Sequence, residues 1–238
     1  MADFKADFLL NFIEENRWKF IFTGLENTLI ITFFSLIIGV VLGVLVAIIR
    51  SSYDKTGDEM QKGVKKFLLW LLNAVCKIYL TVIRGTPVVV QLMIMYYIIF
   101  ASSRNSLLVA ILAFGINSGA YVAEIVRSGI MSVDAGQFEA GRSLGFDYKM
   151  TMWYIIIPQA IKNVLPALAN EFIVLLKETS VAGYVTIRDL TMGGNIIRAA
   201  TYSPFMPLIA VAVIYLVLVM FFTKLVNILE RRLRKSER

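Results

Sequence analysis

The stretch LENTLIITFFSLIIGVVLGVLVAII, residues 25–49, has no charged residue after Glu26 and is followed at once by Arg50. It is longer than the roughly twenty apolar residues with which a helix crosses the hydrocarbon of a bilayer. Only a helix satisfies every backbone hydrogen bond within such a run. Hydrophobic residues make up 58% of the 238-residue chain, whereas soluble domains contain about 45–50% apolar residues. The sequence therefore predicts an all-α membrane protein.

Six apolar runs are candidates for spans, and the second, FLLWLLNAVCKIYLTVI at 67–83, is interrupted by Asn73 and Lys77. Cytoplasmic loops carry an excess of lysine and arginine, and this bias decides where the run lies. If residues 64–83 form a helix along the cytoplasmic surface, most of the 24 lysines and arginines fall inside. We therefore expect five spans in a single domain over 1–238, with the N-terminus outside and the C-terminus cytoplasmic. The approximate spans are 25–49, 86–101, 106–126, 164–183 and 204–229.

Composition removes several classes of function. Cys76 is the only cysteine and histidine is absent, which excludes a disulfide framework, a zinc site and a histidine-based catalytic triad within one chain. The net charge of +7 suits retention of cations on the cytoplasmic side of a membrane better than nucleic-acid binding. The first twenty residues lack the basic start and uninterrupted apolar core of a signal peptide, so we expect them in the mature protein.

The longest polar interval between spans, residues 128–162, falls on the cytoplasmic side in this layout. Within it, GQFEAGRSLG at 136–145 predicts a short helix bracketed by two glycines. Small residues at 140 and 141 are expected to leave a low ridge that another protein's surface could contact. The alternative is an ordinary loop between spans with a solvated helix.

The same loop resembles a known motif. Glu139-Ala140-Gly141, three residues, Gly145, nine residues and then IIIP at 155–158 resemble the EAA loop of permease subunits of ATP-binding-cassette importers. Glycine replaces the second alanine at 141, and isoleucine replaces leucine at 157. Other stretches resemble the polar amino-acid, HisM/HisQ-like branch of that family. They are GLENTL at 24–29, RGTPVVVQL at 84–92, SGAYVAEIVRSGI at 118–130 and IIPQAIKNVLPALANEFIVLLKETS at 156–180.

The resemblance implies a fold and a set of partners. The fold is that of a type I ABC importer permease, with five transmembrane helices and a cytoplasmic coupling helix in the loop at 134–158. The implied partners are a cytoplasmic ATPase dimer, a second permease subunit, an extracytoplasmic solute-binding protein and a polar amino-acid substrate. No G-x4-G-K-[ST] phosphate loop occurs in the chain, so ATP and Mg are expected on the ATPase, with no cofactor in this non-catalytic subunit. The residues implied in ATPase coupling are Phe138, Glu139, Ala140, Gly141, Arg142, Leu144 and Gly145.

Polar residues inside spans are the candidates for a substrate pathway, because an ionisable group there costs at least about 2.5–3.5 kcal/mol on insertion scales. Two groups qualify, one in the third span and one in the fourth, and both contain glutamate. They could contact the ammonium, carboxylate or side chain of an amino acid. The candidates are Asn117, Tyr121, Glu124, Glu171, Lys177, Glu178, Thr179 and Ser180, with Ser118 adjoining the first group.

Structural explanations for the same residues stay open. Glu124 could pair with Arg127, three residues further on. Lys177 and the glutamates of its helix could neutralise each other or those of a second copy of the subunit. Arg84 is expected to anchor at the cytoplasmic interface ahead of a bend at 85–87. The pair Gly39 and Gly43 predicts close contact between helices.

Two other classes of function would fit a chain of this kind. An ion-coupled secondary transporter would explain the intramembrane carboxylates, although five spans without inverted repeats match such architectures poorly. A membrane-bound scaffold is the second alternative. The ion-coupled transporter leaves the loop at 139–158 unexplained.

Overall fold

A computed structural model describes residues 4–56 and 63–235, and every regular element in those ranges is helical. Short π-helical or 3-10 segments occupy Leu9–Ile13, Glu14–Asn16, Met95–Ile99, Met152–Ile156 and Thr179–Val185. The α-helices are α1 (Phe4–Phe8), α2 (Trp18–Thr56), α3 (Val64–Gly85), α4 (Val88–Ile94), α5 (Ser106–Met131), α6 (Ala135–Ser143), α7 (Tyr148–Thr151), α8 (Ile157–Glu178), α9 (Leu190–Thr201) and α10 (Phe205–Lys235).

Four helices in the described part of the chain are long and apolar enough to cross a membrane: Trp18–Asp54, Val64–Gly85, Ser106–Met131 and Phe205–Leu233. Three of these correspond to predicted spans: 25–49, 106–126 and 204–229. The other two predicted spans, 86–101 and 164–183, correspond to the shorter apolar segment Val88–Ile99 and to α8 with its 3-10 extension. The count of five spans therefore stays a prediction.

Helix α3 coincides with the helix predicted over 64–83 but also has the length and composition of a span. Its placement along the membrane surface therefore stays a prediction. The helix ends at Gly85, and Pro87, in extended backbone with φ of −65°, caps the start of α4. The bend predicted at this point is confirmed.

Helix α8 differs in character from the other long helices. It carries Pro166 in its interior, and polar residues such as Lys162, Asn163 and Asn170 interrupt its apolar surface. Proline has no backbone N–H, so one intrahelical hydrogen bond is missing and the series of backbone hydrogen bonds in α8 is interrupted. These features explain why α8 does not have the composition of an ordinary span.

Contacts between Cα atoms divide the chain into two compact units, and the helices α2, α5, α8 and α10 contribute residues to both. The single-domain organisation stays a prediction. Among the described residues, the first unit contains 4–37, 86–115 and 172–224, and the second contains 38–56, 63–85, 116–171 and 225–235.

In the first unit, the beginning of α2 packs tightly against α9. A Cβ atom added to Gly24 would lie 2.5 Å from the carbonyl oxygen of Asp189, and one added to Gly193 would lie 2.5 Å from that of Phe20. Both glycines are therefore needed for this backbone contact. The Thr28 hydroxyl also accepts a hydrogen bond of 3.0 Å from the Leu190 amide.

In the second unit, α2 and α5 approach each other at the two glycines that the sequence singled out. A Cβ on Gly39 would lie 2.9 Å from Ser118 Oγ, and one on Gly43 would lie 2.5 Å from Val122 Cγ1. Four residues separate the two contacts on each helix, so the helices run parallel here in a fixed register. The prediction of close helix contact at Gly39 and Gly43 is confirmed.

Candidate functional site

The loop helix α6 has well-defined ends. Asp134 caps its start by accepting a hydrogen bond of 2.7 Å from the Gly136 amide. At its end, Gly145 has φ of +82°, and the Phe146 amide donates back to the Gly141 carbonyl at 3.1 Å. A left-handed glycine with this six-to-one hydrogen bond is a Schellman motif. The predicted short helix and its end at Gly145 are confirmed, but it begins at Ala135, so Gly136 lies inside it.

One face of α6 packs against the chain. Phe138 contacts a buried cluster formed by Val133, Ile156 and Ala160. Gly141 is buried, and a Cβ there would lie 2.7 Å from Thr151 Cγ2 and 2.8 Å from Thr151 Oγ1.

The ridge predicted at 140 and 141 is therefore wrong for Gly141, which faces inward while Ala140 is exposed. Thr151 occupies the space that a methyl group at 141 would need. This contact gives a physical reason for the glycine that replaces alanine in the motif.

The opposite face of α6 is open. Glu139, Ala140 and Arg142 are exposed, and Leu144, just past the helix, is 72% exposed. A large apolar side chain beside an anion and a cation combines the features of a protein contact, where apolar anchors supply most of the binding energy and charges set orientation. Of the predicted coupling residues, Phe138 and Gly141 support the helix, and these four present its surface.

Hydrogen bonds join the α6 region to α8. Gln159 on α8 donates to Gln137 Oε1 at 3.2 Å, and Asn163 donates to Ser132 Oγ at 2.8 Å. Together with the Phe138 contact, these bonds connect α6 and the end of α5 to the first half of α8. These contacts hold α6 against the beginning of a long helix.

The predicted pathway residues of α5 meet two different environments. Ser118 Oγ donates to Glu171 Oε1 at 2.8 Å, and both side chains are buried, as is that of Asn117. Tyr121 is 37% exposed, and its ring centroid lies 5.9 Å from the Arg84 guanidinium carbon. The structure brings a carboxylate of α8 to α5, a contact that local spacing did not indicate.

Glu124 pairs with a different arginine from the one considered. Arg84 Nη1 lies 3.2 Å from Glu124 Oε1, whereas Arg127 pairs with Asp54 at 3.6 Å. The alternative of a pair between Glu124 and Arg127 is therefore wrong, because tertiary contacts of α3 and α2 supply both partners. Arg84, expected to serve as an anchor, also compensates the charge of this carboxylate.

The remaining pathway candidates lie at the end of α8 and belong to the first unit. Lys177 is exposed, Glu178 and Ser180 are half-buried, and Thr179 is fully buried with its hydroxyl donating to the Leu176 carbonyl at 2.9 Å. This bond gives Thr179 a role in the 3-10 turn that follows α8.

Asp189 is a buried charged residue that the sequence reasoning missed. It is 0% exposed and caps α9 by accepting hydrogen bonds from the Thr191 and Met192 amides. Burial raises the pKa of Asp189 to about 6, and these hydrogen bonds oppose the shift. The available signal was an aspartate directly ahead of the helical pattern LTMGGNIIRAA, which is typical of a helix N-cap.

Comparison with known families gives the class of protein. The family profile described as "Binding-protein-dependent transport system inner membrane component" matches residues 66–235, which is more than half of the chain. The chain belongs to this family. It is a membrane permease of the ABC transporter type, in agreement with the resemblance of its loop.

Curated relatives match nearly the full length of this permease. It is 35% identical to the arginine transport system permease protein ArtQ of Bacillus subtilis, over 92% of this chain and 94% of that protein. It is 33% identical to the putative glutamine transport system permease protein GlnP of Rickettsia typhi, over 90% of this chain and 93% of the relative.

Solved structures share the fold. A chain of an amino acid ABC transporter crystallised with histidines is 41% identical to this permease, with a TM-score of 0.80 over 93% of this chain and 98% of that one. A chain of the inward-facing MetNI methionine ABC transporter is 20% identical, with a TM-score of 0.71 over 92% and 98% of the two chains, which shows the fold alone. The type I importer permease fold implied by the resemblance is confirmed.

Proposed function

We propose that this permease subunit forms the pathway for a polar amino acid. We further propose that a separate cytoplasmic ATPase binds its loop helix α6 and drives transport through this contact. The relatives named above support the substrate class, because they are arginine, glutamine and amino acid transporters. The chain itself contains no phosphate loop, so ATP and Mg belong to the ATPase.

The exposed face of α6 is the observation that carries the proposal. Leu144 stands out from a helix whose other face is fastened to α8 through Phe138 and the bond between Gln159 and Gln137. An ATPase that grips Leu144, Glu139 and Arg142 therefore moves α8 with α6. Closure of an ATPase dimer would then change the arrangement of the spans.

The proposed assembly has three kinds of protein component. An ATPase dimer lies beneath two permease subunits, which are two copies of this chain or this chain with a close relative. A solute-binding protein delivers substrate from outside. The N-terminus is outside and the C-terminus cytoplasmic, so α6 faces the ATPase, and the basic sequence ERRLRKSER at the C-terminus supports this orientation.

The proposed substrate pathway uses the polar residues of α5 and α8. The buried hydrogen bond between Ser118 and Glu171 supports a polar lining in the middle of these helices. Glu124 remains in the set, although its carboxylate already forms an ion pair with Arg84. A solute that binds Glu124 therefore competes with Arg84 for the carboxylate. The proposed set is Asn117, Tyr121, Glu124, Glu171, Lys177, Glu178, Thr179 and Ser180.

The test is co-purification of the tagged permease from its native membrane in mild detergent, followed by mass spectrometry. We expect a phosphate-loop ATPase to co-purify with the unaltered chain. Leu144→Ala should weaken that association by about tenfold, since loss of one central apolar anchor costs on the order of 1–2 kcal/mol. Met131→Ala is the matched control, because Met131 is 70% exposed and lies on α5, outside α6.

The amount of ATPase recovered with each variant and with the unaltered chain tests the role of α6 and the importer function. If Leu144→Ala retains the ATPase as well as Met131→Ala does, Leu144 on α6 is not part of the contact. Absence of any ATPase with the folded, unaltered chain would remove the energy source and reopen the ion-coupled and scaffold alternatives.

A further inference from the structure

A cavity of about 480 Å³ in the second unit is lined mainly by charged side chains. Arg50 from α2, Lys77 and Arg84 from α3, and Glu124 from α5 surround it, and the Thr81 hydroxyl group adds a neutral donor. Three helices therefore contribute three cations and one carboxylate to the same opening.

The carboxylate neutralises only one of the cations. Glu124 is 3.2 Å from Arg84, and in the described residues 4–56 and 63–235 neither Arg50 nor Lys77 forms an ion pair. Another arginine of the second unit, Arg127, is by contrast paired with Asp54. The excess positive charge of the cavity thus rests on Arg50 and Lys77, which face a common space.

The sequence indicates the depth of the cavity in the membrane. Arg50 is the first charged residue after the apolar run 27–49 and thus marks the boundary between hydrocarbon and headgroups on α2. Lys77 and Arg84 line the same cavity as Arg50, so this part of α3 reaches the same boundary. A ligand in the cavity therefore sits where lipid headgroups lie.

We propose that this cavity binds a single phosphate anion at the membrane interface, presented by the headgroup of an anionic phospholipid such as phosphatidylglycerol or by a soluble phosphate ester of similar size. Arginine presents paired N–H donors that match phosphate oxygens, and lysine adds a point charge. Thr81 supplies a hydroxyl donor without further charge. Basic pockets between membrane helices recognise anionic headgroups by this chemistry.

An amino acid that passes Glu124 on the proposed pathway would displace its pair with Arg84, but the charge balance disfavours a free amino acid as the resident occupant of this cavity. The ammonium group of a zwitterion would meet Arg50, Lys77 and Arg84, while the one carboxylate able to receive it is already paired. The inference does not depend on which solute the permease carries.

The experiment measures binding to the full-length permease in neutral detergent micelles with three probes. They are short-chain dioctanoyl phosphatidylglycerol, dioctanoyl phosphatidylcholine and glycerol 3-phosphate. Titrations followed by thermal unfolding, with bound lipid counted by native mass spectrometry, give a dissociation constant for each. We expect phosphatidylglycerol to bind at least about tenfold more tightly than phosphatidylcholine, with an affinity that falls as salt rises.

Variants locate the site. Lys77→Gln and Arg50→Gln should each weaken phosphatidylglycerol binding by about tenfold, the size of one charge-assisted phosphate contact. Lys77→Arg keeps the charge and should retain binding. Lys65→Gln is the matched control, because Lys65 is an exposed lysine near the start of the same helix and does not line the cavity.

The probes also distinguish the two sources of phosphate. Binding of phosphatidylglycerol that glycerol 3-phosphate does not displace assigns the cavity to lipid, and equal binding of both assigns it to a soluble phosphate ester. Equal affinity for phosphatidylglycerol and phosphatidylcholine would overturn the proposal, and this comparison needs no variant. Unchanged binding by folded Lys77→Gln, or displacement of the lipid by arginine or glutamine, would overturn it as well.

Discussion

Substitution of Gly141 by alanine tests how α6 is seated. The added methyl carbon would lie 2.7 Å from Thr151 Cγ2 and 3.1 Å from Ile155 Cδ1, both closer than ordinary contact. Relief requires α6 to move outward or Thr151 to rotate away from its bond to the Asp147 carbonyl, which is 2.9 Å long. Overpacking of this kind costs about 1–3 kcal/mol.

The cost should appear as easier local opening of α6. A loss of about 1.4–2.8 kcal/mol corresponds to amide exchange that is about tenfold to a hundredfold faster. Hydrogen exchange with mass spectrometry on a peptide covering 134–146 measures this directly, since the Phe146 amide bonds to the Gly141 carbonyl. Exchange in α9 serves as the internal control.

A second substitution identifies the cause. Thr151→Ala removes both atoms of Thr151 that the new methyl group meets, so Gly141→Ala combined with Thr151→Ala should recover most of the protection. Wild-type exchange in the Gly141→Ala variant, or a double variant no better protected than the single one, would refute the close contact as the reason for glycine at this position.

Three further predictions concern other residues. Gly145→Val places a β-branched residue at φ of +82°, which should cost more than the about 1–2 kcal/mol of an ordinary left-handed residue and reduce ATPase binding while the spans still insert; normal uptake would count against docking through α6. Glu124→Gln should lower stability by less than about 1 kcal/mol, because its pair with Arg84 is partly exposed and screened, and should change the KM for solute; an unchanged KM would limit Glu124 to that pair. The raised pKa of Asp189, about 6 against 3.8, means that its stabilising contribution is complete below about pH 4 and is lost as pH rises through about 6. Asp189→Asn keeps the cap and should remove this loss, of which about 1.4 kcal/mol falls between pH 5 and pH 8, as thermal unfolding at those two pH values would show; an identical pH profile in both proteins would contradict it.

Local signals in the sequence were enough to predict the short loop helix. Gly136 lies in the first turn of the helix behind the cap Asp134, and a left-handed residue is needed where Gly145 lies. The inward orientation of Gly141 was not predictable in this way, because it depends on Thr151, which belongs to the next helix. A side chain's partner across a turn leaves no periodic pattern.

The ion pairs show the same limit. Spacing along α5 favours a pair between Glu124 and Arg127, since three residues separate neighbours on a helix face. The fold instead brings Arg84 from α3 to Glu124 and Asp54 from α2 to Arg127. Packing between helices determines both ion pairs, and a single sequence does not show which helices pack together.

The apolar runs predicted helices well but not their relation to the membrane. The long run of α2 was recognised from composition alone, because nothing interrupts it. Helix α8 was harder, since Pro166 and its polar residues make the boundaries of the predicted span differ from those of the helix. Composition predicts the surroundings of a helix that is apolar throughout, such as the long run of α2. It does not do so for a helix that mixes apolar and polar residues, such as α8.

The two glycine contacts between α2 and α5 restrict how these helices can move. Gly39 lies against Ser118, and Gly43 lies one turn further on against Val122. A slide of one or two residues would bring a bulkier side chain, such as Ile38 or Leu42, to a point where there is no room for a Cβ. The two contacts thus prevent α2 from sliding along α5 by one or two residues. This part of α2 and α5 should turn as one lever, so that force applied at the end of α5 beside α6 is delivered along both helices at once.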